Sequence, residues 1–346
     1  MQFSPRGMAT AIGSFPHQEP ESACELILKS IPEIPIWPQL PNSSFREQME
    51  IQYSEGMPCV VVDEAHEKIY FDTGGDSTSD LESFYENVLA ENLDYFRISP
   101  EYSRGLYRME KILTGGDLSE VKFFKHHVIG PLTFGLSKTD QGKRSIYYNE
   151  IFRDVVTKGI AMKARWMLNR FKFLGRPQIC FVDEPIFAAF GSSTYVSVQR
   201  SDAVNCLGEV IESIHREGAL AGTHCCGNTE WTILIDAGVD IISFDAYGYG
   251  ETIGYYADRI GEFLEKGGIL AWGIVPTSEK IREQTPQSLV KRLEELVNAL
   301  ASKGIDKNLI FEQCLATPSC GTGSLSVDLA EEIFGKLAEL SRLLRH

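Results

Sequence analysis

The second half of the chain alternates short apolar runs with amphipathic stretches, and this alternation limits the folds that the chain can adopt. Buried strands are predicted over residues 178–182, 219–223, 239–244, 269–274 and 309–312. Amphipathic helices are predicted between them, and a last helix over residues 327–344 follows Ser326, a suitable N-cap. Strands separated by helices indicate a parallel sheet with right-handed crossovers.

The first half of the chain fits this repeat less regularly. Further strands are predicted over residues 10–13, 35–40 and 127–129, which brings the total to eight. Eight strands favour an α/β fold in which residues 1–346 form a single (β/α)8 TIM barrel, over an open doubly wound sheet. Residues 59–71 are apolar at both ends around a polar centre, which predicts a β-hairpin inserted after strand two.

Charge and cysteine content limit the expected surroundings and partners. The formal net charge of −15 makes nucleic acid an unexpected partner. The sequence contains no long apolar run and no signal pattern, so we expect a soluble cytoplasmic protein without membrane contact. Its eight cysteines are therefore expected to be free thiols, most of them packed in the core.

Potential metal ligands follow two of the predicted strands at their carboxyl ends, where barrel enzymes of this class carry their active sites. His224 and Cys226 follow strand five, and their spacing directs both side chains to one face while Cys225 faces the other. Cys320 follows strand eight. Imidazole with two thiolates favours Zn2+ and leaves one position open for a substrate. The alternative is a hydrogen-bonded core histidine beside packing cysteines.

Other polar residues at the same strand ends have more than one interpretation. Asp245, after strand six, is a fourth metal ligand, an acceptor that orients His224, or a helix N-cap. Asp183 and Glu184, after strand four, form a turn before a helix or hold a substrate ammonium group. Ser14, after strand one, offers a hydroxyl and a nearby backbone amide to a carboxylate. Together these groups would suit an amino acid.

Five short motifs, taken in order along the chain, resemble one known family. They are Ile12-Gly-Ser-Phe-Pro16, Gly130-Pro-Leu-Thr133, Asp183-Glu-Pro185, the His224/Cys226 pair and Cys320-Gly321. Their order resembles the C-terminal catalytic barrel of cobalamin-independent methionine synthase over nearly the whole chain. The segment 224–228 also resembles the zinc motif of methylcobamide:thiol methyltransferases, which belong to the same superfamily as uroporphyrinogen decarboxylase.

The resemblance implies a zinc-dependent methyltransferase that makes methionine from homocysteine. It implies that His224, Cys226 and Cys320 are zinc ligands and act catalytically by activating the acceptor thiol. It also implies that Ser14 binds the homocysteine carboxylate and Asp183 its amino group, and that Glu47 shares the amino group.

The chain also departs from the family pattern. Asp245 stands where methionine synthases place a glutamate ligand. We also expect no second barrel before the catalytic one. We therefore expect a methylated corrinoid protein as the methyl donor, with free methylcobalamin or methylfolate as the second choice. Three other functions remain open: a metal-free decarboxylase of tetrapyrroles, a coenzyme M-type methyltransferase, and a non-catalytic zinc module with four protein ligands.

Overall fold

A curled, wholly parallel sheet of seven strands organises the computed structural model, which describes residues 3–192, 195 and 197–345. The strands pair in the order β1-β9-β8-β7-β6-β5-β4. Their bounds are β1 Met8–Ala9, β4 Phe124–Ile129, β5 Gln178–Asp183, β6 Leu220–Cys225, β7 Ile241–Phe244, β8 Ile269–Val275 and β9 Cys314–Pro318. From β4 to β9, strands that follow one another in the chain are also neighbours in the sheet, as repeated right-handed crossovers produce.

Helices connect the strands and cover the convex face of the sheet. They are α1 Pro20–Ser30, α2 Met49–Gln52, α3 Thr78–Leu89, α4 Arg104–Gly115, α5 Pro131–Ser137, α6 Glu150–Arg170, α7 Arg200–Arg216, α8 Thr232–Asp236, α9 Ala246–Tyr249, α10 Ala257–Glu265, α11 Pro286–Ala301, α12 Lys307–Glu312 and α13 Val327–Leu344. None of the helices within the described residues has the length and apolar character needed to cross a membrane.

Strand side chains alternate between two apolar cores, as the twofold period of a strand requires. Phe181, Ile241 and Leu315 belong to a compact cluster on the concave face. Cys180 and Cys225 belong to the larger cluster that packs against the helices. The alternation places every second residue of β4 to β9 inside the curve of the sheet, where the candidate site lies.

The predicted closed barrel of eight strands is not what the described residues form. The sheet ends at β1 and β4, and the predicted strand over residues 35–40 contributes only single bridges, from Gln39 to Ser14 and from Ile36 to Lys125. Pro35 and Pro38 lack the backbone N–H that a continuous ladder needs. The architecture is therefore α/β with a seven-stranded half-barrel.

The strand predicted over residues 309–312 is also wrong. These residues lie in α12, whose N-cap Asp306 accepts a hydrogen bond from the backbone N–H of Asn308 at 2.9 Å. The last strand is β9, which begins two residues after that helix ends. The cap outweighs the apolar character of the short segment and moves the strand closer to Cys320.

Residues 60–71 contain two short antiparallel strands outside the main sheet. β2, Val60–Asp63, pairs with β3, Lys68–Phe71, so that Val60 lies opposite Phe71. The backbone of Phe71 is also bonded to Thr139 and Gln141, in the loop after α5. Residues 49–52, shortly before β2, are helical as α2, so the placement of a hairpin after a second strand of the sheet is not confirmed.

Candidate metal centre

The structure places His224 on the concave side of β6 and Cys226 just beyond the end of that strand. His224 is 3% exposed, and Cys226 is partly buried. Cys225, between them, is fully buried in the core that faces the helices, where its thiol lies 3.6 Å from the carbonyl oxygen of Gly227. The local strand geometry therefore presents the imidazole of His224 and the thiol of Cys226 to the same side. It turns the thiol of Cys225 to the opposite side.

His224 is held through one ring nitrogen. Its Nδ1 lies 3.0 Å from Oγ of Ser243, its register partner on β7, whereas Nε2 is buried without a hydrogen-bond partner. Burial lowers the pKa of His224 to about 3, so the ring is neutral at physiological pH. A neutral imidazole with one nitrogen fixed by a neighbour and the other unpartnered is the form in which histidine binds metals.

Cys320 and Cys226 bring thiols from the ends of β9 and β6 together. A hydrogen bond from the Cys320 thiol lowers the pKa of Cys226. The same bond is the main cause of the raised pKa of Cys320, and burial is the second cause. The charges of Asp183 and Asp245 both act on Cys226, so these carboxylates lie in the same neighbourhood. One thiol of the pair is therefore the easier to ionise, as metal binding requires.

Ser14 lies beside the segment that carries Cys320. Its carbonyl oxygen accepts hydrogen bonds from the backbone N–H of Thr322 at 2.8 Å and from the Thr322 hydroxyl at 3.0 Å. Its own hydroxyl accepts the N–H of Gly323 at 3.3 Å. A Cβ on Gly321 would lie only 2.0 Å from Ser14 Oγ, so this approach requires glycine. The serine thus adjoins the candidate metal ligand at position 320.

Asp183 and Glu184 are adjacent in the chain, but the structure gives them different surroundings. Glu184 accepts three hydrogen bonds at the start of α5, from the backbone N–H of Leu132 at 2.9 Å and from Thr133 through its N–H at 2.8 Å and its hydroxyl at 2.6 Å. Asp183 is 8% exposed on the concave side, and its Oδ1 is buried without a partner. Of the two carboxylates, Asp183 is the one with an oxygen available to a ligand.

Asp245 takes up one of the roles that the sequence left open. Its Oδ1 accepts the backbone N–H of Gly248 at 2.7 Å, which makes it the N-cap of the short helix α9. Burial raises the pKa of Asp245. The carboxylate lies near Cys226 but is already engaged at one oxygen, so its service as a fourth metal ligand stays a prediction.

Glu47 is fully buried next to the start of α4. Its Oε1 accepts the backbone N–H of Arg104, at the start of α4, at 3.2 Å, and its Oε2 has no partner. Burial raises the pKa of Glu47 to about 7. Like Asp183, Glu47 therefore has one buried oxygen without a partner, and its role in sharing the substrate amino group stays a prediction.

Sequence reasoning missed two side chains on the concave face. Ser243 fixes His224, and its position two residues before Asp245 on one face of β7 would have indicated its direction. Lys125 is fully buried on β4, two residues before His127. A lysine within a strand ordinarily suggests a solvent-exposed position, so the pattern gave no signal for it.

The donor types suit zinc, although the side chains are not yet arranged as a complete ligand set. In the part of the chain that the structure describes, no three His, Cys, Asp or Glu side chains form a group ready to hold a metal ion. The unpartnered Nε2 of His224 and the paired thiols of Cys226 and Cys320 are nevertheless nitrogen and sulfur donors of the kind that Zn2+ prefers. Binding therefore requires side-chain adjustment.

The chain matches no protein-family model and no curated protein.

Proposed function

We propose that this chain is a zinc-dependent methyltransferase with homocysteine as its acceptor and methionine as its product. The observation that carries the proposal is the meeting of two thiols, from Cys226 and Cys320, at the end of the strand that also carries a neutral His224, whose Nε2 has no partner. These three residues would hold the zinc ion. When bound, zinc lowers the pKa of a coordinated thiol and keeps it nucleophilic at neutral pH.

The chain's own residues would bind and orient the amino-acid part of the acceptor. Asp183 offers a buried carboxylate oxygen to the ammonium group, and Ser14 offers a hydroxyl beside the Cys320 segment to the carboxylate. In the reaction the acceptor sulfur forms a bond to the methyl carbon, and the donor leaves with the electron pair of the broken bond. We propose a methylated corrinoid protein as donor, with methylcobalamin or methylfolate as alternatives.

Three broader proposals, on fold, family and location, accompany this one. The segment over residues 36–39 forms one bridge to Ser14, shortly after β1, and another to Lys125 in β4. Because it connects the two edge strands of the sheet, we infer a TIM-like barrel whose second strand is irregular. On the basis of the five sequence motifs, we propose that the chain belongs to the family of the catalytic barrel of cobalamin-independent methionine synthase. All eight cysteines are free, which agrees with a reducing, cytoplasmic location.

The experiment is to measure zinc content and the zinc-edge X-ray absorption spectrum before and after homocysteine is added. We expect about one zinc per chain and one additional sulfur neighbour after addition, as an open coordination position allows. A coordination sphere that does not change with homocysteine, coenzyme M or another thiol would refute the mechanism. A response to coenzyme M alone would identify the other acceptor class.

A pair of cysteine variants makes the test residue-specific. Cys320→Ala should lose most of the zinc and all methyl transfer, whereas Cys225→Ala, the matched control, should keep its zinc because that thiol faces the helix core. Equal loss of zinc in both variants would mean that the ligand set is wrongly assigned.

A further inference from the structure

A buried lysine with no hydrogen-bond acceptor lies on the concave face of the sheet. Lys125 is 0% exposed, and its Nζ has no hydrogen-bond partner within the described residues. The ammonium group lies 4.1 Å from the centre of the Phe181 ring. A cation–π contact compensates only part of the loss of hydration, so a buried ammonium group needs a nearby negative charge.

The register of β4 and β5 indicates that the negative charge near Lys125 is that of Asp183. Lys125 pairs with Ile179 on β5, and Phe181 and Asp183 follow Ile179 on the same face toward the carboxyl end of the strand. Because the Lys125 ammonium group lies over the Phe181 ring, its side chain extends from the level of Ile179 toward Asp183. Asp183 itself has a buried Oδ1 without a hydrogen-bond partner.

The neighbouring carboxylate cannot take this role. Glu184 points to the other face, where its oxygens accept three hydrogen bonds from the first turn of α5. The charges of Lys125 and Asp183 also act on one another. Burial lowers the pKa of Lys125 and raises the pKa of Asp183, and the opposite charge of the partner counteracts the shift in each case.

We propose that Lys125 is a positioning residue that acts through Asp183: as its buried counter-ion, it holds the carboxylate toward the rim, where that carboxylate receives an ammonium group of the thiol substrate. The identity of the ammonium-bearing ligand rests on the proposed function, whereas the pairing of Lys125 with Asp183 does not. Lys125 touches no substrate in this arrangement and sets the specificity for amino-acid thiols from beneath the site.

The pairing is tested by a double-mutant cycle on unfolding in denaturant. Lys125→Met and Asp183→Asn each leave an uncompensated buried charge, so each should destabilise the chain, while the double variant should be more stable than the sum of the two losses predicts. Additive losses would show that the two side chains do not interact and would overturn the proposal. This cycle requires no knowledge of the reaction.

The positioning role is tested by comparing homocysteine with its des-amino analogue, 4-mercaptobutanoate, by calorimetry on the zinc-loaded protein. Lys125→Met should weaken homocysteine binding by roughly tenfold, as the loss of a charged contact does, with the analogue and the zinc content unaffected. Lys163→Met is the matched control, because Lys163 is a second buried lysine that donates to the backbone carbonyls of Glu55 and Phe96. That variant should lose stability and keep its preference for homocysteine.

The outcomes separate the two proposals. Equal weakening of both thiols by Lys125→Met, or the same selective weakening by Lys163→Met, would reduce Lys125 to a structural role. If the parent chain binds neither thiol, the proposed function fails and the positioning role fails with it, whereas non-additive unfolding would still establish the ion pair.

Discussion

Ser243 Oγ lies 3.0 Å from Nδ1 of His224, on neighbouring strands and in direct register. This contact fixes the imidazole ring from the side of β7 and leaves Nε2 as the nitrogen without a hydrogen-bond partner. A hydrogen bond to the second nitrogen of a metal-binding histidine sets both the tautomer and the orientation of the ring. Ser243 is therefore part of the candidate centre although it would not contact a metal.

Removal of this contact should weaken metal binding. Ser243→Ala is expected to lower zinc affinity by roughly 10- to 100-fold, because the ring loses the partner that orients it. Competition with a chromophoric chelator measures the change. Ser145→Ala, which removes a hydroxyl bonded to the carbonyl oxygen of Gly135, is the control and should bind zinc as the parent does. Equal affinity in parent and Ser243→Ala would contradict the assignment of His224.

Asp245 should be dispensable for zinc if its role is to cap α9. Asn at this position still accepts the N–H of Gly248, so Asp245→Asn should retain both the fold and about one zinc per chain. Asp245→Ala loses the cap and should be less stable by about 1 kcal/mol. Loss of zinc from Asp245→Asn, measured by elemental analysis, would instead identify the carboxylate as the fourth ligand.

Glu184 should contribute to stability more than to substrate binding. Glu184→Gln replaces one acceptor oxygen with an NH2 group facing the donors of Leu132 and Thr133, and should cost about 1–3 kcal/mol of the free energy of unfolding. Glu230→Gln, in a half-exposed pair with Arg200, is the control and should change the free energy of unfolding by less than about 1 kcal/mol. A stable Glu184→Gln variant with lost homocysteine binding would reverse this assignment.

Glu47 should make the stability of the protein fall as pH rises. Burial raises its pKa in the folded state from 4.5 to about 7, so the folded chain keeps a proton that the unfolded chain releases between these values. The loss of stability caused by ionising the buried Glu47 is absent below about pH 4.5, grows as pH rises, and is complete above about pH 7. Glu47→Gln cannot ionise and should exceed the parent in stability at pH 8 by up to about 3 kcal/mol.

The measurement for Glu47 is denaturant unfolding of parent and variant at pH 5 and pH 8. The difference in free energy of unfolding between parent and variant should be much smaller at pH 5, where Glu47 of the folded parent is largely protonated. Glu64→Gln, at an exposed position paired with Arg46, is the control variant. A Glu47→Gln variant that is less stable than the parent at pH 8 would mean that the buried carboxylate is ionised and stabilised by its surroundings.

The sequence predicts most of the second half of the fold because local signals there agree with the tertiary structure. The last helix occupies Val327–Leu344, and Ser326 caps it through the N–H of Leu329 at 3.3 Å. Predictions failed where one local feature outweighs the apolar pattern, as with the prolines at 35 and 38 and the Asp306 cap. In both places the apolar residues pack against the core, although Leu309 and Phe311 are only partly buried, and the backbone hydrogen bonds are those of another structure.

The site was less accessible to sequence reasoning than the fold. Strand alternation predicts that His224 and Cys226 share a face, because that depends only on neighbouring residues. The contact of Ser243 with His224 depends on the register between two strands, which the sequence of either strand does not specify. The direction of the Glu184 side chain follows from its contacts with Thr133 and Leu132 of α5, which lie 51 and 52 residues earlier in the chain.

Ser14 and the segment from Cys320 to Gly323 meet across a separation of 308 residues, measured between Ser14 and Thr322. Contacts between such distant residues carry a large loop-closure entropy, which disfavours their early formation in folding. A partly folded molecule in which β1 has not joined β9 would therefore hold His224 and Cys226 without Ser14 beside Cys320. Pairing of β1 with β9 would then act as an assembly checkpoint: the proposed thiol chemistry would be available only to a molecule whose folding is complete.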